Sequence, residues 1–310
     1  MKLATYQAGQ GARLGAVTDA GMVDLSASGK PELASMLALI EAGAAGLEAA
    51  RAAAESGPAL PMEGLRLLAP IPVPPQIRDA SSFPKHITQA PVGMHRLAAK
   101  IQGQPEPDMA PGEVPQVYRQ QPIFYITNRF SVVGHEAEIR WPRYSQAMDF
   151  ELELACVIGK GGKDIAKADA MDHIFGYTIF NDFSARDAQL IEMQGMLGPA
   201  KGKSFDAGNV FGPVIVTADE IPDPRALTCR ARINGETFVD TDMGAMLHGF
   251  DDMIAFISRD ETLHPGEIIG AGTVDDGCGL EHSRYLSDGD VVELEFDRIG
   301  VLRNRVVAQG

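Results

Sequence analysis

The first 26 residues pattern as short strands, Lys2–Gln7, Arg13–Thr18 and Met22–Leu25, punctuated by Gly9 and Gly11 and then by Asp19-Ala20-Gly21. Helical spacing takes over from Glu32 to Glu55. Pro31 stands at a first helical position, Leu33, Met36, Leu37 and Ile40 repeat at the helical period, and Gly43 and Gly46 divide the stretch into two helices. Pro58 and Pro61 end it. The run Ala69-Pro-Ile-Pro-Val-Pro-Pro75 forces extended backbone and marks the clearest domain boundary. A second stretch, from about Pro91 to Gln121, reads as irregular and is expected as an inserted loop, since Gln102–Gly112 is dense in Pro, Gly and Gln.

Beyond Gln121 the pattern is mostly strand: Ile123–Thr127, Glu151–Ile158, Glu267–Ala271 and Val291–Phe296. Asn234-Gly235, between Thr228–Ile233 and Glu236–Asp240, predicts a hairpin. Phe250–Ser258 predicts a helix with Met253, Ile254 and Ile257 facing inward. No sustained βαβα alternation occurs, which argues against a doubly wound parallel sheet.

Composition narrows the function classes. With 310 residues, 45% of them hydrophobic and 22% charged, the chain can build one large domain or one large and one small. No apolar run approaches the ~18 residues of a membrane span. Met1–Gly11 lacks an apolar signal segment, so a cytoplasmic location is the expectation. The net charge of −15 disfavours nucleic acid as a partner. It also means that an anionic substrate would need a local cation, either a metal or a buried lysine. Cys156, Cys229 and Cys278 are widely separated with no CxxC, so neither a zinc ribbon nor a disulfide framework is expected.

The segment Asp149-Phe-Glu-Leu-Glu-Leu-Ala155 places Asp149, Glu151 and Glu153 on one face of a strand, with Phe150, Leu152 and Leu154 on the other. Such a face is either solvated or relieved by a cation. Gly176-Tyr-Thr-Ile-Phe-Asn-Asp182 reads as an apolar strand ending in a carboxylate. Ser184 follows as the expected N-cap of a helix. An oxygen-only set without nearby His or Cys suits Mg²⁺, Mn²⁺ or Ca²⁺ rather than zinc or copper. Gly198-Pro-Ala-Lys-Gly-Lys-Ser204 is one residue short of a phosphate loop and lacks its βαβ setting. Lys203 remains of interest as a point cation for a carboxylate or enolate, against the plainer reading of a surface lysine.

Five segments in order carry a family resemblance: Glu151-Leu-Glu-Leu-Ala-Cys-Val-Ile-Gly159, Asn181-Asp-Phe-Ser-Ala-Arg-Asp-Ala-Gln189, Lys201-Gly-Lys-Ser-Phe205, Leu263-His-Pro-Gly-Glu-Ile-Ile-Gly-Ala-Gly-Thr273 and Asp288-Gly-Asp-Val-Val-Glu293. With them the chain resembles the fumarylacetoacetate hydrolase family, which splits or decarboxylates small oxo acids. The resemblance implies a mixed β-rich α+β fold. Residues 70–310 would form a β-sandwich or β-roll catalytic domain, and residues 1–69 a small N-terminal α/β domain. It implies a homodimer. It implies Glu151, Glu153 and Asp182 as ligands of Mg²⁺ (or Mn²⁺, Ca²⁺). His86 would take a proton from water, Lys203 would act at the substrate beside the metal, and Gln189 and Thr273 would hold substrate oxygens.

Two positions depart from the family pattern. Gln89 stands where many members place a glutamate that pairs with the histidine, and Thr127 stands where a lysine is common. Asp79, Glu106 or Asp108 are candidates for the missing carboxylate. The expected activity is metal-dependent hydrolysis of a carbon–carbon bond in a small acylpyruvate-like oxo acid. Decarboxylation, or a lyase or isomerase step, is the alternative, and a catalytically weak oxo-acid binder is the rival from another class. No G-x-S-x-G occurs, which sets aside a serine hydrolase.

Overall fold

The strand Leu152–Ile158 lies antiparallel to Ile174–Asp182 on one edge and to Ile268–Gly270 on the other. A strand covered on both faces requires apolar side chains in both directions. Leu152, Leu154, Cys156 and Ile158 supply one core, while Ala155 and Val157 supply the other. Glu153 breaks the pattern: it is an acid and fully buried, and it marks the functional region.

The computed structural model describes residues 1–9 and 11–309. Among these residues the fold is mixed α+β and rich in sheet. The larger sheet has 11 strands in the order Ala59–Leu60, Gly21–Asp24, Gly11–Thr18, Lys2–Ala8, Asn209–Thr217, Ile174–Asp182, Leu152–Ile158, Ile268–Gly270, Ile77–Ala80 and Phe124–Ile126, with Val132–Val133 also paired to Asn209–Thr217. A second sheet of five strands runs Glu236–Asp242, Thr228–Ile233, Val291–Phe296, Gly300–Val307 and Glu138–Arg140. The two sheets share an apolar core in which Leu154, Ile179 and Val214 meet Ala231, Leu294 and Leu302. The N-terminal strands join the larger sheet through Lys2↔Val216 and Leu3↔Ile215. Among the described residues no helix is long and apolar enough to cross a membrane.

The predicted hairpin forms around Asn234 and Gly235, both with positive φ, as a two-residue turn of this type demands. The predicted N-terminal helical stretch divides at Gly43, whose φ is +59°, into Met36–Glu41 and Gly43–Ser56. Gly46 does not divide it again. It lies inside the second helix, where an added Cβ would press on Leu39 and Ala42.

Two expectations are corrected. The stretch from Pro91 is not irregular at its start, because an 18-residue helix spans Pro84–Ile101 with Pro91 inside it. The missing proline N–H is tolerated there, and Ile87, Met94 and Leu97 keep the helical period through the break. Only 102–115 is without regular structure, before a short helix Gln116–Gln120. Ser184 is not an N-cap. It pairs with Asp149 in a two-stranded bridge and its hydroxyl donates to the Asp182 carbonyl at 2.9 Å, so the next helix starts at Arg186.

Candidate active site

Three strands of the larger sheet, the second and third parted by Ile268–Gly270, bring four carboxylates together. Asp182 ends the Ile174–Asp182 strand, and Glu153 lies on Leu152–Ile158, with Glu151 just before it. Asp79 lies on Ile77–Ala80, in register with Gly270. Gly270 separates Asp79 from Glu153. A Cβ at that position would collide with Asp79 Oδ1 and stand 3.1 Å from Glu153 Oε2, so only glycine leaves the carboxylates room. One oxygen from each of Asp79, Glu151, Glu153 and Asp182 lies within 4.8 Å of the others, and all four residues are buried. Glu151, Glu153 and Asp182 are thus assembled as expected, and the face that holds them is not solvated. Asp79, considered in the sequence only as a partner for His86, belongs to this group. Asp149 does not. Its carboxylate accepts from Arg186 Nε at 2.8 Å and from the N–H groups of Gly279 and Leu280 at 2.7 and 2.8 Å.

Two buried cations face the cluster. Lys203 Nζ donates to Asp182 Oδ2 at 2.6 Å and to Glu151 Oε2, so it is not a surface lysine. Arg186 bridges Asp149 to Glu151, with Nη2 2.7 Å from Glu151 Oε1. Burial opposes ionisation of Glu151, but Lys203 and then Arg186 hold its carboxyl below the usual range. The others move the opposite way. Burial foremost, with the Glu151 charge adding to it, raises Asp79 to about 6 and Asp182 to about 8 against the pull of Lys203. Burial together with Asp79 and Glu151 raises Glu153 well above the carboxylate range. Asp79 Oδ1, Glu153 Oε2 and Asp182 Oδ1 are buried without a hydrogen-bond partner. Orphaned carboxylate oxygens converging at this density fit a hard divalent cation, which prefers oxygen ligands and would neutralise the excess charge.

The helix Pro84–Ile101 delivers His86. Its first turn is capped from a distant segment, as Asp275 Oδ1 accepts from the N–H groups of Lys85 at 2.9 Å and His86 at 3.2 Å. Gly93 lets the same helix lie directly on the backbone of Leu280, where a Cβ would not fit. That contact places His86 Nδ1 3.4 Å from Glu281 Oε2, with Cys278 Sγ 3.7 Å from the same nitrogen. Burial lowers the imidazole pKa, but Glu281 outweighs it and raises the group above its ordinary value; reciprocally, His86 holds Glu281 low against its own burial. The carboxylate missing at Gln89 is therefore supplied by Glu281. None of the three residues considered for it does so: Asp79 joins the acidic cluster, Glu106 pairs with Arg96 at 3.0 Å, and Asp108 is exposed. Thr127 is buried in a polar network with Asn209 Nδ2 at 3.2 Å and does not line the cavity.

A cavity of ≈ 430 Å³ opens over these groups, lined at its inner end by Asp79, His86, Glu151, Glu153, Arg186 and Lys203. Asp182 lies behind this lining, bonded to Tyr125 Oη as well as Lys203. Gln189 and Thr273 both reach the cavity wall. The Gln189 side-chain oxygen accepts from Arg186 Nη1 at 3.0 Å, which leaves its amide N–H groups to donate. The Thr273 hydroxyl donates to Glu153 Oε1 at 3.2 Å, so in this arrangement it steadies Glu153 and can only accept from a ligand.

Residues 93–307 match the model of the fumarylacetoacetate (FAA) hydrolase C-terminal family. The human mitochondrial oxaloacetate tautomerase FAHD2A is 34% identical over 293 residues, covering 93% of this chain and 84% of that protein. The Xenopus laevis mitochondrial oxaloacetate tautomerase fahd2 is 41% identical over 192 residues, which cover 61% of this chain and 59% of that protein. Among solved structures, a fumarylacetoacetate hydrolase from psychrophilic Exiguobacterium antarcticum superposes with a TM-score of 0.77 at 28% identity, covering 100% of both chains. The chain belongs to the fumarylacetoacetate hydrolase family.

Proposed function

We propose that the protein is a divalent-metal-dependent enzyme that hydrolyses the carbon–carbon bond of an acylpyruvate-like 2,4-dioxo acid. The observation that carries this reading is the His86–Glu281 pair, whose imidazole lines the same cavity as Asp79, Glu151 and Glu153 of the four-carboxylate cluster. The ion, Mg²⁺ or Mn²⁺, would be held by Glu151, Glu153 and Asp182 with Asp79, and would supply positive charge for the 2-oxo acid oxygens. The remaining work falls to side chains. Glu281 fixes the imidazole at Nδ1, so Nε2 is free to take a proton from water. The hydroxide adds to the distal carbonyl carbon. The bond between that carbon and C3 then breaks, its electron pair staying on the pyruvyl fragment as an enolate, and the proton held by His86 is delivered to C3. The products are a carboxylic acid and pyruvate. Lys203, beside Glu151 and Asp182, adds a fixed positive charge where the enolate develops.

Keto–enol tautomerisation is a second reading, favoured by the 34% identity to a protein named for oxaloacetate tautomerisation. His86 would then move the C3 proton itself and no carbon–carbon bond would break. Product analysis separates the two. With acylpyruvates and Mn²⁺, hydrolysis yields acid and pyruvate in equal amounts. Metal-dependent decay of the enol absorbance with no pyruvate supports tautomerisation. No metal-dependent change with acylpyruvates or oxaloacetate overturns both.

A further inference from the structure

The inner end of the cavity carries all its charge. The cations lining it are His86, Arg186 and Lys203, and each already faces a carboxylate: Glu281, then Asp149 and Glu151, then Glu151 and Asp182. Outward from His86 the wall changes character. Ile87, Ala90, Pro91 and Met94 follow His86 along one helix, and Tyr118, Ile123, Phe124, Tyr125 and Met193 line the same cavity. At 1.5 Å rise per residue this helical wall extends about 12 Å from His86 to Met94. No lysine or arginine lines this outer part among the described residues. The rim is apolar as well, with Met196 and Leu197 89% and 98% exposed, next to Gly198 and Pro199 of the lining.

We infer that the enzyme selects 2-oxo acids whose distal end is an uncharged alkyl or aryl group, and rejects those ending in a second carboxylate. The inference rests on the proposed function, since it takes the 2-oxo acid end to lie at the acidic cluster. A terminal carboxylate would enter a space lined mostly by apolar side chains, with Tyr118 and the Gln189 amide as polar neighbours and no unpaired cation. No opposite charge would offset its desolvation. An apolar tail gains from burial along the same wall, and a volume of ≈ 430 Å³ falls within the about 300–1,000 Å³ typical of sites for ligands well beyond a four-carbon acid. Discrimination therefore comes from both sides, attraction for the tail and an unpaired charge against its competitor.

The test uses wild-type protein with Mn²⁺ and titration calorimetry of three ligands: oxalate, 2-oxohexanoate and 2-oxoadipate. The last two have equal carbon counts and differ in the terminal group. The expected result is metal-dependent binding of all three, with 2-oxohexanoate tighter than 2-oxoadipate by about tenfold or more. Met94→Arg, which adds a cation on the helical wall, should shrink or reverse that ratio without changing oxalate binding. Equal affinities in the wild type, or tighter 2-oxoadipate, overturn the inference while oxalate binding leaves the proposed function standing. Failure of oxalate and both oxo acids to bind in the presence of metal overturns the two together.

Discussion

Glu281 Oε2 stands 3.4 Å from His86 Nδ1, although the two residues lie far apart in the sequence and are brought together by the packing of Gly93 on Leu280 and the Asp275 cap on the helix that carries His86. If this pair activates water, Glu281→Gln should lower kcat by about 10²-fold or more, the usual scale for disabling a general base. Metal affinity should not change. Gln89→Glu should have little effect, because the imidazole already has its carboxylate. A strong gain from Gln89→Glu combined with an inert Glu281→Gln would reassign the pair. Steady-state kinetics with acylpyruvates, alongside metal titration, reads both variants.

Asp79 is the member of the acidic cluster that the motifs do not announce. Asp79→Asn should weaken Mn²⁺ binding by about 10–100-fold, the scale seen for groups that support a metal site. Gly270→Ala should do the same indirectly, because the new methyl displaces the Asp79 carboxylate. Its effect should appear in the metal dissociation constant more than in the melting temperature of the metal-free protein. Calorimetric titration together with thermal melts in chelator distinguishes this from general misfolding.

The cluster also predicts a pH dependence of stability. With Asp79 held near 6 and Asp182 near 8 by burial and neighbouring charge, the metal-free folded state keeps protons that the unfolded chain releases near its ordinary carboxylate pKa. A folded state that binds more protons loses stability as pH rises, so this contribution is present below about pH 4 and fades through about pH 8. A divalent ion needs the carboxylates ionised, so its stabilisation should grow across the same window. Melting temperatures with chelator and with Mn²⁺ should diverge progressively from about pH 5 to pH 8, and a pH-independent gap would contradict the cluster as the binding site.

Arg186 is buried, and its guanidinium holds Asp149, Glu151 and the Gln189 amide in place. Arg186→Met should leave Asp149 without a cation and Glu151 with Lys203 alone, and cost about 3–5 kcal/mol of stability. Arg186→Lys should recover only part of it, since one ammonium cannot span the three partners as a planar fork does. Urea unfolding in chelator measures both.

Much of this was legible in the chain. Glu151 and Glu153 alternate with Leu152 and Leu154, and Asp182 ends a continuously apolar strand, so the sequence marks all three and the structure brings their oxygens together. Lys203 was singled out by its segment, and the structure finds it bonded to Glu151 and Asp182. What stayed hidden depends on contacts between distant segments. Asp79 sits in a short strand whose neighbour, Gly270, is set by sheet order rather than by local pattern. Glu281 follows a turn with no periodicity to betray it. The helix Pro84–Ile101 was masked by Pro91 and Gly93, two residues that usually interrupt helices. Here the first is bridged by the apolar spacing around it, and the second is needed for close approach to Leu280. The apolar repeat Ile87, Ala90, Met94, Leu97 and Ile101 was the signal that would have revealed it.

That helix carries His86 in its first turn and Met94 two turns further on. Proton transfer and tail recognition are therefore mounted on one rod, seated at Gly93. A substitution that reseats the rod to admit a bulkier tail also re-aims the imidazole. In this protein a widened substrate range and a preserved turnover rate should be hard to obtain from changes at the seat itself, and easier from the cavity wall at Ile123, Phe124 and Met193, which lies outside the helix that carries the base.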